Sequence, residues 1–336
     1  MRGRHHIRIQ NRTIIYEFDV KRNITIIRGD SATGKTTLLD MISQYEAYQE
    51  TSGIELVCDK NCVVITGQRW LENLQLIRDS IVFIDENDRF ITSKEFAEVV
   101  KGSDNYFVII TRDNLANLPY SVDEIYGIHT SGKYVGTEKT YNEFYRIYAP
   151  FPTDNALTFD QIVCEDSNSG CEFFSSIAEE CAMPCESAEG KSKISNWLLQ
   201  NTSKNPLIIA DGAAFGSEMN RLMEIIYIRS NVALYLPESF EWLILKSGLI
   251  DGNRIRKIVQ TPEDYIDSEN YLSWERYFTE LLVKETQGSF LRYSKSRLND
   301  VYLHAKEKKA ILEAMDVIGR NLEERMLQQS DSGSEE

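Results

Sequence analysis

Two stretches of this sequence combine residue types and spacings that could do chemistry on phosphates. The first is Gly29-Asp30-Ser31-Ala32-Thr33-Gly34-Lys35-Thr36-Thr37. Glycine at both ends of a short loop lets backbone N–H groups turn inward around an anion. A helix opening at the lysine adds the partial positive charge of its N-terminus. The spacing is G-x-x-x-x-G-K-[ST], the phosphate-binding P-loop. In it Lys35 would reach the β- and γ-phosphates of a nucleotide, and the Thr36 hydroxyl would ligate Mg²⁺. The second stretch is Ser80-Ile81-Val82-Phe83-Ile84-Asp85-Glu86, an apolar run that delivers two carboxylates to its end. Asp85 would hold Mg²⁺, mostly through water, and Glu86 would orient the attacking water. Each stretch also has a plain reading: a Gly-rich turn with a solvated lysine, and a strand that ends in acids.

The neighbouring residues supply the elements such a site needs. Asn23 to Ile27 reads as a buried strand running into the loop, and Leu38 to Ile42 as the helix leaving it. Upstream, Ile7 to Ile9 and Thr13 to Phe18 read as two short strands joined by a turn at Gln10-Asn11-Arg12. Downstream come strands at Ile54 to Cys58 and Cys62 to Thr66, and helices at Trp70 to Arg78 and Ser93 to Val100. The strand Tyr106 to Ile110 runs into Thr111-Arg112. Either residue could sense a γ-phosphate, or the strand could simply end there in an exposed arginine. Asp123 to His129 and Lys133 to Thr137 read as a hairpin about Ser131-Gly132, with His129 a strand residue. Two prolines within Ala149-Pro150-Phe151-Pro152-Thr153-Asp154 mark the domain boundary.

Beyond it the α/β alternation starts again. Strands are expected at Asp160 to Cys164, Pro206 to Ala210 and Val232 to Leu236. Helices are expected at Gly170 to Cys181, Lys191 to Gln200, Gly216 to Arg229 and Glu238 to Lys246. The first strand ends at Glu165 and the second at Asp211. Two carboxylates at one edge of a parallel sheet make a reasonable divalent-metal site, because Mg²⁺ needs few protein ligands and keeps several waters. The competing reading is structural, since Asp-Gly suits a strand-to-helix turn and Glu-Asp-Ser an N-cap. Trp274 to Leu282 carries core-forming residues at helical spacing. Asp300 to Gln328 reads as an amphipathic helical segment, and 330–336 as a disordered acidic tail.

Composition narrows the function classes. The 336 residues carry a net charge of −15, which disfavours sequence-independent wrapping of nucleic acid. Arg2, Arg4, Arg8 and Arg12 form a local basic exception. No apolar run approaches the roughly 20 residues of a membrane helix, and the N-terminus lacks an apolar targeting core, so a cytoplasmic location is expected. The six cysteines should then be reduced. Cys181 and Cys185 lack zinc-ligand spacing and a nearby histidine, so free thiols are expected.

On the two phosphate-directed stretches, residues 7–148 resemble the P-loop ATPase superfamily, with its ABC-type and AAA-type branches as candidates. No L-S-G-G-Q-like segment precedes Asp85, so the ABC-type dimer has no support. No N-K-x-D occurs, which favours ATP over GTP. The pattern around Glu165 and Asp211 looks like a Toprim domain, and an ATPase followed by such a domain is similar to the OLD-type ATPase-nucleases. The resemblance implies that Glu165 and Asp211 hold metal for phosphodiester chemistry, with Leu236 to Glu241 matching a later acidic segment. Two departures stand out: Ala213 occupies the second acidic position, and Asp166 replaces the glycine after the first glutamate.

The expectation is therefore an α/β protein. A P-loop NTPase sheet with flanking helices spans 1–149, a second, Toprim-like α/β domain 155–250, and a helical C-terminal part 251–329. ATP and Mg²⁺ are the expected cofactors. DNA or a protein would be the partner of the second domain, and a homo-oligomer could complete the ATP site with a neighbour's arginine. Three functions compete: an ATP-gated metal-dependent nuclease suited to a mobile-element or phage-defence setting, a regulatory ATPase whose C-terminal domain only binds a protein, and a small-molecule kinase, which lacks a readable acceptor pocket.

Overall fold

The computed structural model of the chain describes residues 1–29, 34–131, 139–148 and 158–332. The chain is an α/β protein that divides into two compact units, Met1–Ala149 with Thr261–Ser273, and Pro150–Gln260 with Trp274–Glu336. The segment Thr261–Ser273, expected from sequence to continue a helical C-terminal part, thus groups with the first unit. Polar anchors explain this. Asn23 Nδ2 donates to the carbonyls of Ser268 and Tyr271 at 3.1 and 3.0 Å. The terminal ammonium of Met1 donates to Asp267 Oδ1 at 3.2 Å, and Arg4 Nη2 to Glu263 Oε1 at 2.8 Å. Such contacts leave no hydrophobic period to read.

The first unit runs β1 (His5–Gln10), β2 (Ile14–Val20), β3 (Ile24–Ile27), α1 (Lys35–Tyr48), β4 (Glu55–Val57), β5 (Asn61–Ile65), α2 (Trp70–Leu76), β6 (Ser80–Ile84), α3 (Lys94–Val100), β7 (Tyr106–Ile110), β8 (Ile125–Thr130) and β9 (Thr140–Arg146). The described strands form one mixed sheet in the order β4-β1-β2-β9-β8-β3-β7-β6-β5. The antiparallel partner of β8 is β9. The expected arm Lys133 to Thr137 lies outside the described residues.

Strands β5, β6, β7, β3 and β8 are mutually parallel, and β6 and β7 are buried throughout. Period two explains why both faces are apolar. Ile81 and Phe83 of β6 join the cluster that holds Leu38 and Ile42 of α1. Val82 and Ile84 join the opposite cluster with Trp70 of α2 and Phe96 of α3. Each such side chain contributes about 2 kcal/mol on leaving water, which fixes the register Ile26↔Ile109↔Ile84 across β3, β7 and β6. Gly29, Thr111, Asp85 and Glu86 follow those strands at one edge of the sheet.

The second unit runs β10 (Gln161–Cys164), α4 (Ser169–Glu180), β11 (Cys185–Ser187), α5 (Lys191–Gln200), β12 (Pro206–Ile209), α6 (Met219–Ile228), β13 (Ala233–Tyr235), α7 (Phe240–Lys246), α8 (Asn253–Gln260), α9 (Trp274–Thr286), α10 (Ala305–Ala314) and α11 (Val317–Ser332). Its strands are all parallel, in the order β11-β10-β12-β13. Strand β11 is too short and polar to be read from sequence. The expected segment Asp300 to Gln328 is two helices, because Asp316 takes a left-handed φ of 56° between them. Asp tolerates that conformation better than most residues. Helix α11 continues to Ser332, three residues into the expected acidic tail.

Candidate functional site

In the first unit the loop between β3 and α1 opens at Gly29 and closes at Gly34. Asp30, Ser31, Ala32 and Thr33, the expected phosphate-facing residues, lie outside the described residues. What frames them is defined. Gly34 takes φ 86°, a left-handed conformation that favours glycine, and its carbonyl accepts a 2.7 Å bond from the Tyr16 hydroxyl. A Cβ at Gly34 would lie 2.6 Å from that hydroxyl, so the close approach also requires glycine. Lys35 opens α1, is buried, and donates from Nζ to the Gly29 carbonyl at 2.7 Å, spanning the loop's two ends. Thr36 is exposed at the helix start, and Thr37 is half-buried.

At the end of β6, Asp85 Oδ1 accepts the Glu86 N–H at 2.6 Å and Oδ2 accepts Asn87 Nδ2 at 3.0 Å. The carboxylate is therefore oriented by its own turn. Glu86 Oε2 lies 3.4 Å from Arg112 Nε, beyond β7. The register thus brings the acidic pair and one of the two sensor candidates together. Thr111 is buried, and its Oγ1 accepts the Asp113 N–H at 3.0 Å, shaping the turn after β7.

In the second unit Glu165 and Asp211 follow the adjacent parallel strands β10 and β12. The strand order reverses between these two, since the chain leaves β10 for β11 on one side and returns to β12 on the other. Ligands of open α/β sheets sit at that kind of crevice. The backbone N–H of Asp211 donates to Glu165 Oε2 at 3.1 Å, so the strand ends are tied through the glutamate itself. Gly212 N–H donates to the Pro237 carbonyl at 2.6 Å, and a Cβ there would stand 2.6 Å from the Leu236 carbonyl oxygen. This contact seats the turn of Asp211 against the start of α7 and brings Glu241 to the same cleft. The cleft is lined by Glu165, Asp166, Asp211, Glu241, Tyr293 and Lys295 among others.

The last two come from a part of the chain that sequence reasoning did not connect to the site. Tyr293 OH donates to the buried carboxylate of Glu241 at 2.9 Å, and lies 2.6 Å from Ser169 Oγ. Lys295 Nζ stands 3.9 Å from Glu241 Oε1 and forms an ion pair with Glu275 of α9. The carbonyl of Lys295 accepts the Ser169 N–H at 3.0 Å, pinning this loop to the start of α4. No local motif marks Glu275, Tyr293 or Lys295. The one available signal was Glu241, inside the acidic segment after β13.

Electrostatics follow from this crowding. Burial pushes the Glu165 carboxyl up to about 7. The Asp211 N–H opposes that shift and the Glu275 charge adds to it. Burial, then the charges of Glu275, Glu241 and Glu165, hold Asp211 well above the usual carboxylate range. Burial works against the Lys295 ammonium, yet Glu241, Glu275 and Asp211 outweigh it and raise its pKa. Among the described residues no three carboxylates bring oxygens within 4.8 Å of one another. Among the described residues a direct three-carboxylate cage is therefore absent. Mg²⁺ takes one or two carboxylates and keeps its waters, so Glu165 and Asp211 fit it as donors. Ala213 is buried against the chain leading into α7, with its N–H on the Glu238 carbonyl at 3.2 Å.

Among the described residues no helix is long and apolar enough to cross a membrane. No protein-family model matches the chain, and no curated protein is significantly similar to it in sequence.

Proposed function

We propose that the first unit is a P-loop ATPase and that its nucleotide state controls the second, a Toprim-like, metal-dependent phosphodiesterase acting on DNA, in the manner of OLD-type ATPase-nucleases. One kind of observation supports both halves: the residues suited to phosphate and metal chemistry follow the carboxyl ends of parallel strands, and in the second unit those strands flank the point where the strand order reverses. Lys35 exchanges the Gly29 carbonyl for phosphate oxygens, and Glu86, tethered by Arg112, orients the attacking water. Thr36 and Asp85 would hold Mg²⁺ in the ATP site, and Glu165 and Asp211 would hold it in the second unit. In both sites the ion, when bound, offsets negative charge on phosphate oxygens. A cation beside Glu165 and Asp211 favours their charged forms, which the bare cleft disfavours.

A second reading has specific support. Lys295 already sits among the carboxylates as an internal counter-charge, and Ala213 supplies no second aspartate. A regulatory ATPase with a catalytically inert, protein-binding second unit would look like this.

Cleavage of supercoiled plasmid in Mg²⁺ or Mn²⁺, with and without ATP, separates the two. Wild type should nick or linearise the plasmid. Asp211→Ala should lose at least about 100-fold of that activity while keeping ATP turnover. Lys35→Ala should lose ATP turnover to a similar degree. Wild-type protein that hydrolyses ATP and leaves plasmid intact overturns the nuclease half and leaves the regulatory ATPase.

A further inference from the structure

Three of the six cysteines converge on one point of the second unit. Cys164 ends β10, Cys171 lies in the first turn of α4, and Cys185 opens β11. Period two explains two of them. Cys185 pairs with Ile162, so it shares a sheet face with Ile162 and therefore with Cys164. Helix α4 links these two strands and packs on both, which adds Cys171. The three Sγ atoms all lie within 4.8 Å of one another, and Cys164 Sγ stands 3.9 Å from Cys185 Sγ.

The magnitudes select a chemistry. Two thiolates bound to one zinc at about 2.3 Å and the tetrahedral angle stand about 3.8 Å apart, and around a three-coordinate ion about 4 Å. Two ordinary thiols in contact give a similar spacing, so the pair alone decides nothing. The third sulfur does, because a disulfide uses two and an ion uses all three. Cys164 is buried while Cys171 and Cys185 are partly exposed, which leaves a solvent path to the cluster. Ser175 Oγ lies 4.0 Å from Cys171 Sγ, one turn along α4. Cys181 stands apart from the group, its thiol donating to the Leu322 carbonyl at 3.6 Å.

We propose that Cys164, Cys171 and Cys185 form a binding site for one thiophilic metal ion, Zn²⁺ or Cu⁺. Thiolates select these ions over Mg²⁺ and Ca²⁺. Three of them complete a trigonal Cu⁺ site and leave one position on Zn²⁺ for water. The thiol protons leave to solvent as the ion binds. Because Cys164 and Cys171 also line the cleft of Glu165 and Asp211, the site lies beside the acidic one and takes a different class of ion. The proposal is independent of any nuclease activity.

The test titrates the reduced, metal-free full chain with Zn²⁺ against a chromophoric zinc indicator, and with Cu⁺ against bicinchoninate. Wild type and Cys181→Ser should each take up one equivalent. Cys171→Ser and Cys185→Ser, with far-ultraviolet circular dichroism like wild type, should bind on the order of 100-fold more weakly. The arm with the tighter binding identifies the ion. Cd²⁺ offers a readout on wild type alone, since three thiolates give a sulfur-to-metal charge-transfer band about three times that of one. Uptake of no ion at one equivalent, a one-thiolate cadmium band, or a Cys171→Ser variant that binds like wild type overturns the proposal.

Discussion

At the carboxyl edge of the first sheet, Glu86 faces solvent and Asp85 is half-buried. Their partners are the next residues of the same turn and the exposed Arg112. At the corresponding edge of the second sheet, Glu165, Asp211, Glu241 and Glu275 crowd around Tyr293 and Lys295, residues contributed by five separate stretches. The first edge holds its charges in water and orients them locally. The second takes them out of water and must balance them against one another. Where charge is solvated, a pair can be broken cheaply. Where it is buried, removing one member leaves another without a partner.

That contrast sets the largest expected effect. Lys295→Met should destabilise the second unit by about 3 kcal/mol, because the Glu241 carboxylate is almost fully buried and loses its nearby cation while keeping the Tyr293 hydroxyl. The matching change at the other edge, Arg112→Met, breaks a pair whose side chains are 57% and 33% exposed, and should shift stability by less than about 0.5 kcal/mol. Chemical denaturation of both variants checks the pair. Equal losses would show that the two edges hold their charges alike.

Glu165 gives the comparison a pH dependence. Its carboxyl titrates at about 7 in the fold against an ordinary value of 4.5. Between those values the folded chain keeps a proton that the unfolded chain has lost. Stability therefore falls as pH rises from about 4.5 to about 7 and levels off above. Glu165→Gln removes this penalty, so the variant should exceed wild type by on the order of 2 kcal/mol near pH 8 and match it near pH 4. Added Mg²⁺ should narrow the gap near pH 8 by stabilising wild type alone. Thermal midpoints across pH report the result, and a pH-independent difference would show that the carboxyl is not held neutral by burial.

The same contrast explains what could be read in advance. Gly29 to Thr37 and Ser80 to Glu86 are contiguous, so backbone geometry alone relates their members, and the strands around them are buried on both faces and declare themselves by composition. Glu165 and Asp211 were legible because each directly follows an apolar strand. Glu275, Tyr293 and Lys295 were not, because their meeting depends on tertiary anchors such as the Ser169 N–H on the Lys295 carbonyl. The cysteine cluster stayed hidden for a related reason. It depends on β11, a three-residue strand, pairing beside β10. Asp316 hid a helix break inside an unbroken apolar period, since nothing in the spacing signals its left-handed φ.

The last effect belongs to the first edge and tests whether its local design reaches the proposed nucleotide site. Tyr16 is fully buried in β2, and its hydroxyl holds the Gly34 carbonyl at 2.7 Å, just before the helix that begins with Lys35. Tyr16→Phe keeps the ring and its packing and removes the hydroxyl, with its bond to Gly34 and its interactions with Thr37 and Asn142, so stability should fall by about 1 kcal/mol. The freed carbonyl lets the loop's closing turn vary around a glycine that already favours a left-handed φ. On the proposed ATPase reading, nucleotide binding then meets an ordering cost that wild type has met in advance. KM for ATP should rise about threefold to tenfold with kcat nearly unchanged, because Glu86 and Asp85 sit on a different strand. Steady-state phosphate release measures both constants. A fall in kcat at constant KM would mean that Tyr16 acts on the chemical step, and the loop's anchoring would then belong with the long-range supports of the second edge.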